Sequence, residues 1–168
     1  VIKAIKAGIG IYAAHTNADK VLEGVSGAMA ARLGLENVTV LDDEGEGMGL
    51  GAVGDFPEPM SSEAALALVK ERFSLKVVKA SRPVEGLVSR VAMCGGSGGS
   101  LIAAARRSGA QLYISGDISY HNFFTPEGFM IMDIGHYESE IEIVDILFAL
   151  ITKKFPTFAV RITQNINS

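Results

Sequence analysis

Each of the chain's three histidines stands four residues from an acidic side chain: His15 with Asp19, His121 with Asp117, and His136 with Glu140. On a helix, positions i and i+4 share one face, with Cβ atoms ~5–6 Å apart. Such a pair can hold one ion or pass a proton. The stretch GHYESE (135–140) carries the most informative pair. At ~100° per residue, positions 136, 140, 144, 147 and 151 fall on one stripe, and the last three are Val144, Leu147 and Ile151. His136 and Glu140 are therefore expected to face inward, and Glu138, Glu142 and Asp145 to face solvent. A carboxylate on a buried stripe is costly unless it is paired or bound to metal. The opposing reading is a helix start still reached by water, where a glutamate favours the helix dipole. Spacing and face leave both open.

The other two pairs have simpler readings when taken alone. In HTNAD (15–19), Asn17 or Asp19 is a credible N-cap for the following helix. In GDISYH (116–121), Asp117 and His121 read first as a polar turn at the edge of the core. Converging in space, the three pairs would supply imidazole nitrogens and carboxylate oxygens. That mixture suits Zn, Mn, Fe, Co or Ni without choosing among them. A bridging carboxylate would allow two metals ~3.5–4 Å apart. A fourth candidate is CGGSGG (94–99), a strand–glycine loop–helix that could cradle phosphate through backbone N–H groups. It lacks the Lys-Ser/Thr of a P-loop and does not fit GxGxxG. Close strand-to-helix packing explains the glycines equally well. Cys94 is expected to be a small buried residue, although a helix N-terminus there would lower its pKa.

The elements that position these residues alternate between helix and strand. Residues 1–7 read as a helix end stopped by Gly8, and 9–14 (IGIYAA) as a short strand. Helices are expected over 21–33, closed by Gly34, and from Ser61 or Ser62 to about Phe73. Strands are expected at 38–41, 76–80, 88–93, 112–115 and 129–133, with a final one at 157–163. The acidic, glycine-rich 42–51 reads as a loop or hairpin end, and PEPMSS (57–62) as a turn. A small-residue helix follows at 100–108, and a long helix at about 136–154 is ended by Pro156. This alternation calls for an α/β fold, a mixed β-sheet layered with helices. In such sheets ligands bind beyond the carboxyl ends of strands. The polar clusters sit at such ends.

Composition narrows the classes further. The chain has 168 residues, 48% of them hydrophobic, which fits one globular unit over 1–168. Two small α/β lobes are expected within it, with a boundary near 80–88. Fifteen basic against nineteen acidic residues give a net charge of −4, with no basic stripe to bind nucleic acid. One cysteine excludes an internal disulfide framework and fits a reducing compartment. No apolar run reaches the ~18 residues of a membrane span, and no signal-peptide pattern is visible. A cytoplasmic protein is expected.

Four segments in order, YAAHTNAD (12–19), VAMCGGSGGSLI (91–102), YISGDISYH (113–121) and IMDIGHYESE (131–140), resemble the NIF-three-like family. Its members are often labelled GTP cyclohydrolase 1 type 2 homologs. The resemblance implies an α/β fold, two divalent metal ions in a dinuclear site, and a toroidal homohexamer with the sites facing its cavity. Matched residue by residue, it implies Asp19, His136 and Glu140 as metal ligands, with the glutamate as the bridge. His15 lies in the right motif for a group beside the metals or in catalysis. Asp117 and His121 lie near the site but outside the usual ligand set. The family's remaining ligands are two adjacent histidines of an HHP motif, and this chain has no adjacent histidines. The chain is therefore expected to be the C-terminal two-thirds of a short family member.

The function expected on this basis is a metal-dependent hydrolase-like enzyme acting on a nucleotide or phosphoester. His15 or His121 would serve as its general acid or base. The alternative is a non-catalytic metal-binding, metal-handling or regulatory protein. The partners expected are copies of the chain itself and a small-molecule substrate.

Overall fold

The structure is a computed structural model and describes residues 1–163. Helix α1 (Ile2–Lys6) is followed by the one-turn α2 (Thr16–Asp19) and by α3 (Val25–Leu33). Strands β1 (Glu36–Gly45) and β2 (Met48–Ser61) form a hairpin, and α4 (Ser62–Arg72) leads to the two-residue β3 (Lys79–Ala80). Strand β4 (Leu87–Ser97) passes through a 3-10 turn (Gly99–Leu101) into α5 (Ile102–Arg107). Strand β5 (Leu112–Gly116), a second 3-10 turn (Tyr120–Phe123) and β6 (Met130–Asp133) come next. Helices α6 (His136–Glu140) and α7 (Ile143–Lys154) complete the order.

All six strands join one mixed sheet in the order β1-β2-β4-β5-β6-β3. The central β4, β5 and β6 are parallel, and the other neighbours are antiparallel. Successive side chains of a strand point to opposite faces, and the two buried clusters follow that alternation. Val91, Met93, Leu112, Ile114, Met130 and Met132 face α3 and α4. Ala92, Cys94, Tyr113 and Ile131 face α5. The sheet is thus covered on both sides, as the near-continuous apolar runs of its parallel strands require.

Local chemistry explains several joints. Glu46 and Gly47, both with positive φ, turn the β1–β2 hairpin, and a two-residue loop of that geometry matches the natural twist of the strands. Gly34 ends α3 in the left-handed conformation. The Ser61 hydroxyl accepts a hydrogen bond from the Ala64 amide at 3.2 Å and so caps α4.

Several expectations change, among them the strand at 76–80, which is formed only at Lys79–Ala80. Residues 9–14 form no strand; Ile9, Ile11 and Tyr12 are exposed, and the Ile9 amide bonds back to Ala4. Residues 57–61 do not turn but continue β2 up to the cap. The described residues of 157–163 contain no strand. The long helix over 136–154 is broken at 141–142 into α6 and α7. At the break, Glu142 forms an ion pair with Arg32, so it is not a solvated residue. The Arg32 guanidinium also donates to the Arg72 carbonyl and lies 5.1 Å from the Phe73 ring centroid. This arginine ties the start of α7 to α3 and to the end of α4. No helix of the described residues is long and apolar enough to cross a membrane.

Candidate metal centre

The carboxyl ends of β4, β5 and β6 lie side by side because these three strands run parallel in register. Each end carries one piece of a polar site: the glycine run 95–99 at the end of β4, Asp117 after β5, and His136 and Glu140 in α6 after β6. His136 Nε2 stands 3.3 Å from Glu140 Oε2, and its Nδ1 stands 2.7 Å from Asp117 Oδ2. The ring is held at both ends by carboxylates. Its pKa lies above the ordinary histidine value, chiefly through the Asp117 hydrogen bond and with help from the Glu140 charge, while partial burial opposes.

The inward residue of α6 is not the expected one. His136 and Glu140 side chains are 49% and 37% exposed, whereas Ser139 is fully buried. α7 adds no buried residue, so the proposed stripe through Val144, Leu147 and Ile151 does not reach the core. The break at 141–142 sets α7 on its own course and leaves His136 and Glu140 at a lip above the sheet. Ser139 anchors that lip. Its hydroxyl accepts from the Gly96 amide at 2.9 Å and donates to the His136 carbonyl at 2.8 Å.

The glycine loop is the floor of the site. A Cβ on Gly96, whose φ is +64°, would lie 2.2 Å from Glu140 Oε1 and 3.3 Å from His136 Nε2. A Cβ on Gly116 would lie 2.8 Å from the His136 backbone. Glycine is needed at both positions for the ligand helix to approach this closely. Several of the loop's polar groups are also occupied. The Gly95 amide donates to Ser26 Oγ, Ser115 Oγ donates to the Gly96 carbonyl, and the Tyr113 hydroxyl donates to the Gly98 carbonyl. A phosphate cradle requires open N–H groups. With the Gly95 and Gly96 amides taken by Ser26 and Ser139, this part of CGGSGG packs beneath α6. Cys94, at its start, is buried, and burial next to the Asp19 and Glu140 charges pushes its thiol pKa up to about 11. The lowered pKa of a reactive cysteine is not found.

Asp19 closes the short α2 and caps no helix. Asn17 accepts a hydrogen bond from the His15 amide, and α3 begins at Gly24 without a side-chain cap. The Asp19 carboxyl is half-buried. Desolvation raises its pKa, and the fields of His15 and His136 oppose that rise, which puts Asp19 within electrostatic reach of the α6 site. His15 is exposed, and its Nδ1 lies 3.0 Å from Thr16 Oγ1. His121 is exposed on the second 3-10 turn, with its ring against Tyr120. Asp117 turns away from it towards His136.

Sequence reasoning names Asp117 but gives it the wrong partner, and it misses Asp133. The i−4 spacing pairs Asp117 with His121, whereas in the structure it meets His136. Asp133 was not singled out at all, yet its buried carboxylate accepts from the Ile118 amide at 3.1 Å and the Gly135 amide at 3.0 Å. It ties the loop bearing Asp117 to the turn bearing His136. A buried aspartate at a strand end between two glycine turns was the available signal.

As a metal site the arrangement is fitting but partial. His136 Nε2 and the Glu140 carboxylate converge above a glycine that leaves them room, and the nitrogen and oxygen donors suit a divalent transition ion. Among the described residues, no group of three or more His, Cys, Asp and Glu side chains is placed to hold an ion.

Comparison with known proteins identifies the family and the fold. The chain is 33% identical over 136 residues to the GTP cyclohydrolase 1 type 2 homolog of Nostoc sp., covering 79% of this chain and 52% of that one. It is 35% identical over 158 residues to the protein of the same name from Streptococcus pneumoniae, covering 90% and 59%. The chain thus spans between half and three-fifths of the length of these relatives. A Bacillus cereus protein related to NIF3 shares its fold, with a TM-score of 0.82 at 20% identity over 99% of this chain and 74% of that one. The family model for Duf34/NIF3 (NGG1p interacting factor 3) matches residues 1–167, and the chain belongs to that family.

Proposed function

We propose that this chain supplies one side of a dinuclear divalent-metal site in a hydrolase-like enzyme, with Asp19, His136 and Glu140 as ligands. The observation that supports this best is the His136–Glu140 pair, 3.3 Å apart above the space left by Gly96. A bound divalent ion supplies an acidified water and a polarising charge for a carbonyl or phosphoryl oxygen. The chain's own residues do the rest. Glu140 and His136 present an oxygen and a nitrogen to one point. The Gly96–Ser139 hydrogen bond fixes the height of α6 above the floor. His15, with Nδ1 facing Thr16, has Nε2 available to take or give a proton. A nucleotide substrate is drawn from the name of the curated relatives, and a phosphoester from the chemistry that two divalent ions would supply.

The test is metal analysis of the purified protein, joined to a hydrolysis panel of nucleotides and phosphoesters with and without chelator. Stoichiometric metal and chelator-sensitive turnover are expected, and Glu140→Gln should lose most of both. Metal without turnover would move the protein to a metal-handling role. Absence of metal from the purified protein would sink the proposal.

A further inference from the structure

Asp117 sits in a conformation uncommon for residues other than glycine, although aspartate adopts it more readily than most. Its φ is +51°, the left-handed region that most residues other than glycine avoid. Its side chain is 58% exposed, so no packing requirement explains an aspartate there. The backbone on either side is constrained. Gly116 packs against the His136 backbone, and the Ile118 amide is held by the buried Asp133. The result of these constraints is one contact: Asp117 Oδ2 lies 2.7 Å from His136 Nδ1. His136 Nε2 is then the nitrogen that looks across at Glu140.

We infer that Asp117 is a positioning residue that fixes the ring orientation and tautomer of His136, so that Nε2 is the nitrogen offered beside Glu140. An ionised carboxylate only accepts hydrogen bonds. It therefore selects the Nδ1–H form of a neutral imidazole and leaves the lone pair on Nε2. Carboxylates that hold the far nitrogen of a ligating histidine typically change metal affinity by ~10–100-fold. The inference rests on the metal reading of His136 for its consequence, but not for the contact itself.

Two measurements on the same proteins test it. The first is the nitrogen-15 NMR signature of the His136 ring without metal, at a pH where the ring is neutral. The second is calorimetric titration with zinc alone. The native protein should show the Nδ1–H form. Asp117→Gly should mix the two tautomers and weaken zinc about 10–100-fold. Its melting temperature should be unchanged or higher, because glycine adopts a positive φ readily. Asp117→Asn, close in shape, guards against a folding defect and should weaken zinc in the same direction. If Asp117 were a direct ligand, zinc affinity would fall with the metal-free tautomer unchanged, and that result would overturn the inference. So would native zinc affinity in both variants. A native protein that binds no zinc would defeat the metal reading alone, and the tautomer measurement would still decide the role of Asp117.

Discussion

Cys94 shows how the site's charges reach a residue that takes no part in it. Its thiol is buried beneath the ligand helix, and burial together with the charges of Asp19 and Glu140 raises its pKa to about 11. The thiolate is the nucleophile of a cysteine. Two units of upward shift leave about a hundredfold less of it near neutral pH than an ordinary thiol has. Alkylation by iodoacetamide at pH 8 should therefore be slower than for free cysteine by at least that factor, and unfolding in guanidinium should restore the ordinary rate. The same shift links to stability. The folded pKa is raised above the unfolded value, so the native state holds the proton more tightly. The contribution is complete below pH 9 and is lost as pH rises towards 11, on the order of 2–3 kcal/mol. Burial also raises the Tyr113 hydroxyl, so some alkaline loss will persist in any cysteine variant. Denaturant unfolding between pH 8 and 11 should give a shallower fall for Cys94→Ala than for the native chain. Equal slopes would mean that the thiol is not so perturbed.

The glycine loop carries the corresponding prediction for elements. Gly96 and Gly109 both have positive φ, +64° and +80°. A Cβ on Gly109 would meet nothing within 4 Å, whereas one on Gly96 would strike the Glu140 carboxylate. Alanine at either position should cost about 1 kcal/mol for the left-handed backbone. Only Gly96→Ala should also push Glu140 aside and remove metal binding, because the struck atom ends a flexible side chain and will swing away before the fold yields. Parallel thermal melts and metal titrations of the two variants check this. Equal metal affinity in both would show that the floor does not set the site. How much of this was legible beforehand follows from the same elements. The parallel strand ends and the i,i+4 spacing of His136 and Glu140 are local patterns, and the structure brings those two side chains together at those strand ends. The Asp117–His136 contact depends on β5 lying beside β6, with Ser115 opposite Asp133, and no local pattern encodes that neighbour. The break after Glu140 was equally hidden, since Arg32, which holds Glu142, lies 110 residues away in the chain. Residues 9–14 show the converse, an apolar run that reads as a strand but has no strand beside it in the structure.

For the whole molecule, surface area decides what kind of object this chain is. It exposes 10444 Å² for a mass of 17.7 kDa. A compact monomer of that mass is expected to expose ~8,000 Å². The excess of roughly 2,000 Å² exceeds the ~800 Å² that each partner contributes to a standard protein interface. Much of it is apolar. Ile2 and Ile5 on α1 and Phe148, Leu150 and Ile151 on α7 are exposed, as are Tyr12, Phe155 and Phe158. α7 is the plainest case, a twelve-residue helix rich in Ile, Leu and Phe with no buried residue. Exposed apolar side chains of this kind are what an association face would present. The charge balance of −4 is too small to keep copies apart at ordinary ionic strength. The 168-residue chain should therefore self-associate at micromolar concentration, with sedimentation velocity giving a mass above 17.7 kDa. Replacing Leu150 and Ile151 with lysine should shift that mass downward. The far-ultraviolet circular dichroism should be unchanged, because neither side chain supports the core. A native chain that sediments as a monomer across that range would show that copies of the chain are not what this face takes.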